Sequence, residues 1–157
     1  MKTFASDNYS GVHPEIMDAI IKANSAHQIS YGDDEITTEM NEIFRRQFGD
    51  VEVLYAFNGT GANIVSLKCT VLPFQSVICT DSAHIQVDEC GGPTQNIGCT
   101  LVPLPTPDGK LTPAIVEHQL SFIGNVHHTQ PKVISVSQST ELGTIYSLEE
   151  LKALAEY

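Results

Sequence analysis

Four short runs rich in β-branched and apolar residues, separated by helical stretches and turn chemistry, constrain this chain more than any other feature. They are VEVLYAF (51–57), SVICT (76–80), TLVPL (100–104) and KVISVS (132–137). Strands that alternate with helices need crossover connections, and crossovers cover both faces of a parallel sheet. The expected fold is therefore α/β, a three-layer αβα arrangement around a mostly parallel sheet. The first run leads through Asn58-Gly59-Thr60-Gly61 into ANIVSLKCTVL, which makes a strand, glycine turn, helix unit. Upstream, Pro14 to about His27 sets Ile16, Ala19, Ile20 and Ala23 at helical spacing, and residues 31–50 set Ile36, Met40, Ile43, Phe44 and Phe48 on one stripe before Gly49. Downstream come a short helix around His84–Cys90, broken by Gly91-Gly92-Pro93, and a longer one from Pro113 to about Phe122. A further helix opens at Ser147, with Glu150 three residues on as in a capping box.

No repeat, low-complexity tract or Gly/Ser linker interrupts residues 1–157, so the chain reads as one piece without an internal boundary. Eight Lys plus Arg against nineteen Asp plus Glu leave a formal charge of −11, which repels a phosphate backbone and argues against nucleic acid. No apolar run approaches the roughly 20 residues of a membrane span, and the N-terminus lacks an apolar signal core, so a cytoplasmic, non-membrane protein is expected. Cys69, Cys79, Cys90 and Cys99 show neither Cys-x-x-Cys nor paired His spacing; metal is not expected, and the thiols read as free and structural.

Ligands of such a sheet sit beyond the carboxyl ends of the strands, which here means Asn58–Gly61, Asp81–His84 and Ser137–Thr140. The Asn58–Gly61 turn offers free N–H groups at a helix start and suits a phosphate, with the Thr60 hydroxyl as a further donor. It lacks the Gly-Lys-Ser/Thr of a Walker loop, and Ile64 replaces the last glycine of a dinucleotide fingerprint. The same residues also suit a purely structural turn. His84 could stack on an aromatic group or move a proton, or could be a surface or capping histidine. His127 and His128 precede the fourth run, at its amino end, and read as an exposed loop pair. Ser6-Asp7-Asn8 and Tyr31-Gly32-Asp33-Asp34 could reach a ligand, but equally are cap and turn chemistry.

FASDNYSGVHPEIMDAI, the YGDD segment, NGTGAN after a strand and SAHIQVDECGG, in this order and spacing, resemble low-specificity threonine aldolases over essentially the whole chain. The resemblance implies the pyridoxal 5'-phosphate (PLP) fold of the aspartate aminotransferase type, within the β-eliminating lyase/threonine aldolase superfamily, and cleavage of threonine or allo-threonine to glycine and acetaldehyde. It implies a homotetramer with interface active sites. Carried onto this sequence, it makes Gly59, Thr60 and Gly61 the phosphate cradle, His84 the ring-stacking imidazole with Glu89 behind it, and Ser6 a contact for the substrate carboxylate. It brings Tyr31 to a neighbouring subunit's site and His127 near the substrate β-hydroxyl, against the strand-end placement above.

The family's Schiff-base lysine and its Asp-Gly-Ala-Arg motif follow the helix begun at Ser147 and have no counterpart here. Lys2, Lys22, Lys68, Lys110, Lys132 and Lys152 do not stand at a small-residue strand end. The expectation is an incomplete large domain, inactive by itself. Two other readings stay open: β-elimination on another amino acid, and a non-catalytic binding module. A nucleotide-binding domain using Asp81 is a weaker third.

Overall fold

A computed structural model describes residues 5–157; Lys2 and Phe4, the first residue of the FASDNYS motif, lie outside the described residues. The chain falls into two compact units that meet in sequence between Leu54 and Tyr55. In the first unit a single 3-10 turn, Asp7–Tyr9, precedes helix α1 (Pro14–Ala23) and helix α2 (Glu35–Phe48). Pro14 starts α1 where its missing N–H costs nothing. The helix ends at Ala23, four residues before the expected His27, because Asn24 leaves the helical region and Ala26 adopts a left-handed φ of 60°. Asp34 caps α2: its carboxylate accepts from the Thr37 N–H at 2.8 Å and from the Thr37 hydroxyl at 2.7 Å. These bonds hold the Asp34 carboxyl below its ordinary pKa.

The second unit contains α3 (Gly59–Lys68), β1 (Gln75–Thr80), α4 (His84–Val87), α5 (Gly92–Ile97), β2 (Thr100–Leu104), α6 (Pro113–Leu120), β3 (Gln130–Ile134) and α7 (Leu148–Ala155). The sheet is three-stranded and wholly parallel in the order β2-β1-β3. Alternation along β1 builds two cores. Val77 and Cys79 face a cluster with Leu67, Val71, Ala83, Ile85, Ile97 and Cys99, which belongs to the α3–α5 side. Ile78 faces Leu111, Val116, Tyr146 and Leu154, on the α6 and α7 side. Helices thus cover both faces of a central strand buried on each, which is the expected αβα layering.

Two strand expectations need correction. Residues 51–57 form no strand; Leu54, Tyr55 and Phe57 are exposed and the segment crosses the division between the units. A strand exists only with a ladder partner, both sides of β1 are taken, and no described segment pairs with an outer edge at this run. The fourth run, expected at 132–137, begins two residues earlier, because Gln130 and Pro131 find Gln75 and Ser76 in register. Gly91-Gly92-Pro93 does not merely break the helix at His84: Gly91 turns the chain in a left-handed conformation and Gly92-Pro93 starts α5. The box at Ser147 forms as read, with the Glu150 N–H on Ser147 Oγ at 3.2 Å and the Ser147 N–H on Glu150 Oε2 at 2.7 Å. Among the described residues no helix is long and apolar enough to cross a membrane.

Candidate active site

The first turn of α3 is set by Asn58, whose extended backbone places its side-chain oxygen to accept the Gly61 N–H at 2.8 Å. A Cβ at Gly61 would stand 3.3 Å from that oxygen, a close fit. The cap satisfies Gly61 and leaves the N–H groups of Gly59 and Thr60 as first-turn donors with the positive end of the helix dipole behind them. Space beside Gly59 is open, since no atom comes within 4 Å of a Cβ built there. An anionic group fits this cradle by charge and by room.

The cradle is joined to His84. α5 packs on α3 so closely that a Cβ on Gly92 would lie 3.1 Å from Ile64 Cδ1 and 3.6 Å from Thr60 Cγ2. One turn into α3, Asn63 donates its side-chain amide to Glu89 Oε1 at 2.6 Å. The same oxygen meets His84 Nδ1 at 2.8 Å. The Glu89 side chain is wholly removed from solvent, whereas that of His84 is 51% exposed. An imidazole is therefore presented outward and held from behind by a buried carboxylate. Its backbone is also held: the His84 N–H donates to Glu141 Oε1 at 2.9 Å, and Ser137 Oγ donates to that oxygen at 3.0 Å. Glu141 thereby ties the loop after β3 to the start of α4.

Gly59, Thr60, Gly61, His84 and Glu89 come together in one neighbourhood at the carboxyl end of β1. His127 does not join them. Its N–H donates to Asn125 Oδ1 at 3.0 Å in the loop before β3, and Gln130 is paired with Gln75, the first residue of β1. His84 follows the last residue of that strand, so the two histidines are separated by the length of β1, roughly 17–20 Å at about 3.3 Å per residue. Ser6 and Tyr31 belong to the first unit. Ser6 Oγ accepts the Asn8 N–H at 3.2 Å, and Tyr31, at a left-handed φ of 69°, is fully exposed. Sequence reasoning missed Asn63 and Glu141. Glu141 lies one residue past the strand-end segment singled out at Ser137–Thr140. The signal for Asn63 was its helical spacing from Thr60, which places both toward one side of α3.

The four cysteines are free, with Cys79 and Cys99 buried and Cys69 and Cys90 exposed. Burial pushes the Cys79 thiol up to about 11, helped by the negative charges of Glu141 and Asp81. It is an inert core thiol rather than a nucleophile.

A family model of beta-eliminating lyases matches residues 3–157. The chain is 43% identical over 154 residues to the low specificity L-threonine aldolase of Pseudomonas aeruginosa and 42% identical to that of a Pseudomonas species, covering 97% of its own length in each case. It superposes on a threonine aldolase of Leishmania major with a TM-score of 0.87 and 29% identity, over 94% of this chain. The chain spans 44% of the length of each of these relatives. Matched from residue 3 to residue 157 and folded like the corresponding part of a threonine aldolase, the chain belongs to the beta-eliminating lyase family.

Proposed function

We propose that this chain is part of a PLP-dependent aldolase that cleaves L-threonine and L-allo-threonine to glycine and acetaldehyde. The observation that carries the reading is the join between two features at one strand end. A capped helix start with free Gly59 and Thr60 N–H groups is linked through Asn63 and Glu89 to a half-exposed imidazole. The N–H groups of Gly59 and Thr60, with the Thr60 hydroxyl, would hold the phosphate. The His84 ring would lie against the pyridine ring and exclude water from that face. When bound, the coenzyme supplies an electron sink that makes cleavage of the Cα–Cβ bond accessible.

In this reading Ser6 binds the substrate carboxylate and Tyr31 reaches the site of a neighbouring subunit. His127, placed at the far end of β1 within its own chain, approaches a substrate β-hydroxyl only from a second copy. The protein would work as a homotetramer in the cytoplasm. The covalent lysine would come from sequence beyond residue 157. Among the described lysines Lys22 lies in α1, Lys68 ends α3, Lys132 lies in β3, Lys152 lies in α7, and Lys110 is paired with Glu150 at 2.6 Å. None directly follows the last residue of a strand.

The test is to incubate the full-length polypeptide with PLP and L-threonine. Formation of glycine and acetaldehyde is expected, together with a visible absorption band that denaturation abolishes. A 2-oxo acid with ammonia would replace this reading by β-elimination, and absence of any coenzyme band would leave only a binding module. His84→Ala is expected to lower kcat/KM by at least tenfold, about 1.4 kcal/mol of transition-state stabilisation.

A further inference from the structure

Glu89 is an unusual group to find behind an exposed ring. Its side chain is completely buried, and both donors that reach it converge on one oxygen: Asn63 Nδ2 at 2.6 Å and His84 Nδ1 at 2.8 Å. Its other oxygen, Oε2, is buried with no partner among the described residues. A buried carboxylate needs donors, and among the described residues this one has only those two. With Glu89 ionised the carboxylate only accepts, so the ring nitrogen facing it carries the proton. A neutral His84 then has its lone pair on Nε2, which belongs to the half-exposed side chain and makes no hydrogen bond among the described residues.

The three groups come from three places in the second unit. Asn63 stands on α3, His84 opens α4, and Glu89 lies in the bend between α4 and α5. That bend is short and tight, with the Gly92 N–H on the Glu89 carbonyl at 2.7 Å and Cys90 at a positive φ of 49°. The carboxylate direction is therefore set by what meets it. Of its two donors, the imidazole is the group being oriented, so Asn63 is the fixed reference.

We propose that Asn63 is a positioning residue for His84: acting through Glu89, its amide keeps the imidazole as the Nδ1–H tautomer and leaves Nε2 as the open, basic nitrogen of the site. What that nitrogen serves rests on the proposed coenzyme function; the tautomer itself does not. If the ring stacks on the coenzyme, a fixed tautomer gives the site one acceptor of constant identity instead of an averaging donor and acceptor.

The experiment is long-range 1H–15N NMR of the full-length protein without added coenzyme, at a pH well above the ordinary imidazole value of about 6.5. In the unsubstituted protein His84 is expected to show a pyrrole-type Nδ1 and a pyridine-type Nε2. In Asn63→Ala this separation is expected to shrink toward the averaged pattern of a free imidazole. In Glu89→Gln, where an amide can donate to Nδ1, the Nε2–H form is expected to rise. A His84 that is Nε2–H in the unsubstituted protein overturns the proposal without need of any variant. A His84 spectrum unmoved by Asn63→Ala but moved by Glu89→Gln also overturns it and reduces Asn63 to a packing role. Failure of the coenzyme reading is registered separately, by the missing visible band on PLP addition, and leaves these spectra unaffected.

Discussion

Single residues in this protein are governed by what lies beside them rather than by their type. Four cysteines are indistinguishable in composition, yet two are buried and two are exposed. A thiol reagent is expected to titrate Cys69 and Cys90 rapidly in the folded protein and Cys79 and Cys99 only on unfolding; four equally fast thiols would contradict the buried placement. Since the folded Cys79 pKa is raised from 9.0 to about 11, its contribution to stability is fully present below pH 9. It is lost as pH rises toward 11, because the unfolded chain ionises first. Urea midpoints between pH 8 and 11 should therefore fall more steeply in the parent than in Cys79→Ala. Glycines divide in the same way: Gly59 faces open space, whereas a Cβ at Gly92 would press on the end of the Ile64 side chain at 3.1 Å.

At the scale of elements, three of the four expected strands form and one does not, while helix caps follow local chemistry. Asp34, Asn58, Thr112 and Ser147 each cap a helix with their own side chain. Such bonds are local and span three residues, so sequence spacing carries them. The run at 51–57 has every local mark of a strand and forms none, because pairing depends on a partner elsewhere. The loop after β3 shows how distant contacts decide a position. Tyr146 Oη accepts the buried Leu111 N–H at 2.7 Å, and its backbone exchanges two hydrogen bonds with the Gln138 side chain at 2.9 and 3.0 Å. Tyr146→Phe strands that amide and is expected to cost about 1–3 kcal/mol, read from the chemical denaturation midpoint at unchanged m-value. A loss below about 0.5 kcal/mol would mean that the amide finds another acceptor.

For the molecule as a whole, β1 is the organising element. Its two faces supply two separate cores, and Ser76, Val77, Ile78, Cys79 and Thr80 are all buried. Ile78→Ala opens a cavity at a residue that is 1% exposed and should destabilise the second unit by about 2–5 kcal/mol, measured by thermal or denaturant unfolding. Apolar stripes elsewhere are left uncovered. None of the residues of α1 or α2 is buried, with Ile16, Ile20, Ile36 and Phe48 each half-exposed or more. The hydrophobic period and the capping residues, both short-range, determined by themselves that this is an α/β chain with helices at these places and an anion-friendly turn after Asn58. Three of the four strands, and the place of His127 at the amino end of the last, were legible as well; that the run at 51–57 pairs with nothing, and that Asn63 and Glu141 join Glu89 and His84, was decided only in three dimensions. Those relations join residues 26 and 57 positions apart, and only packing sets such distances.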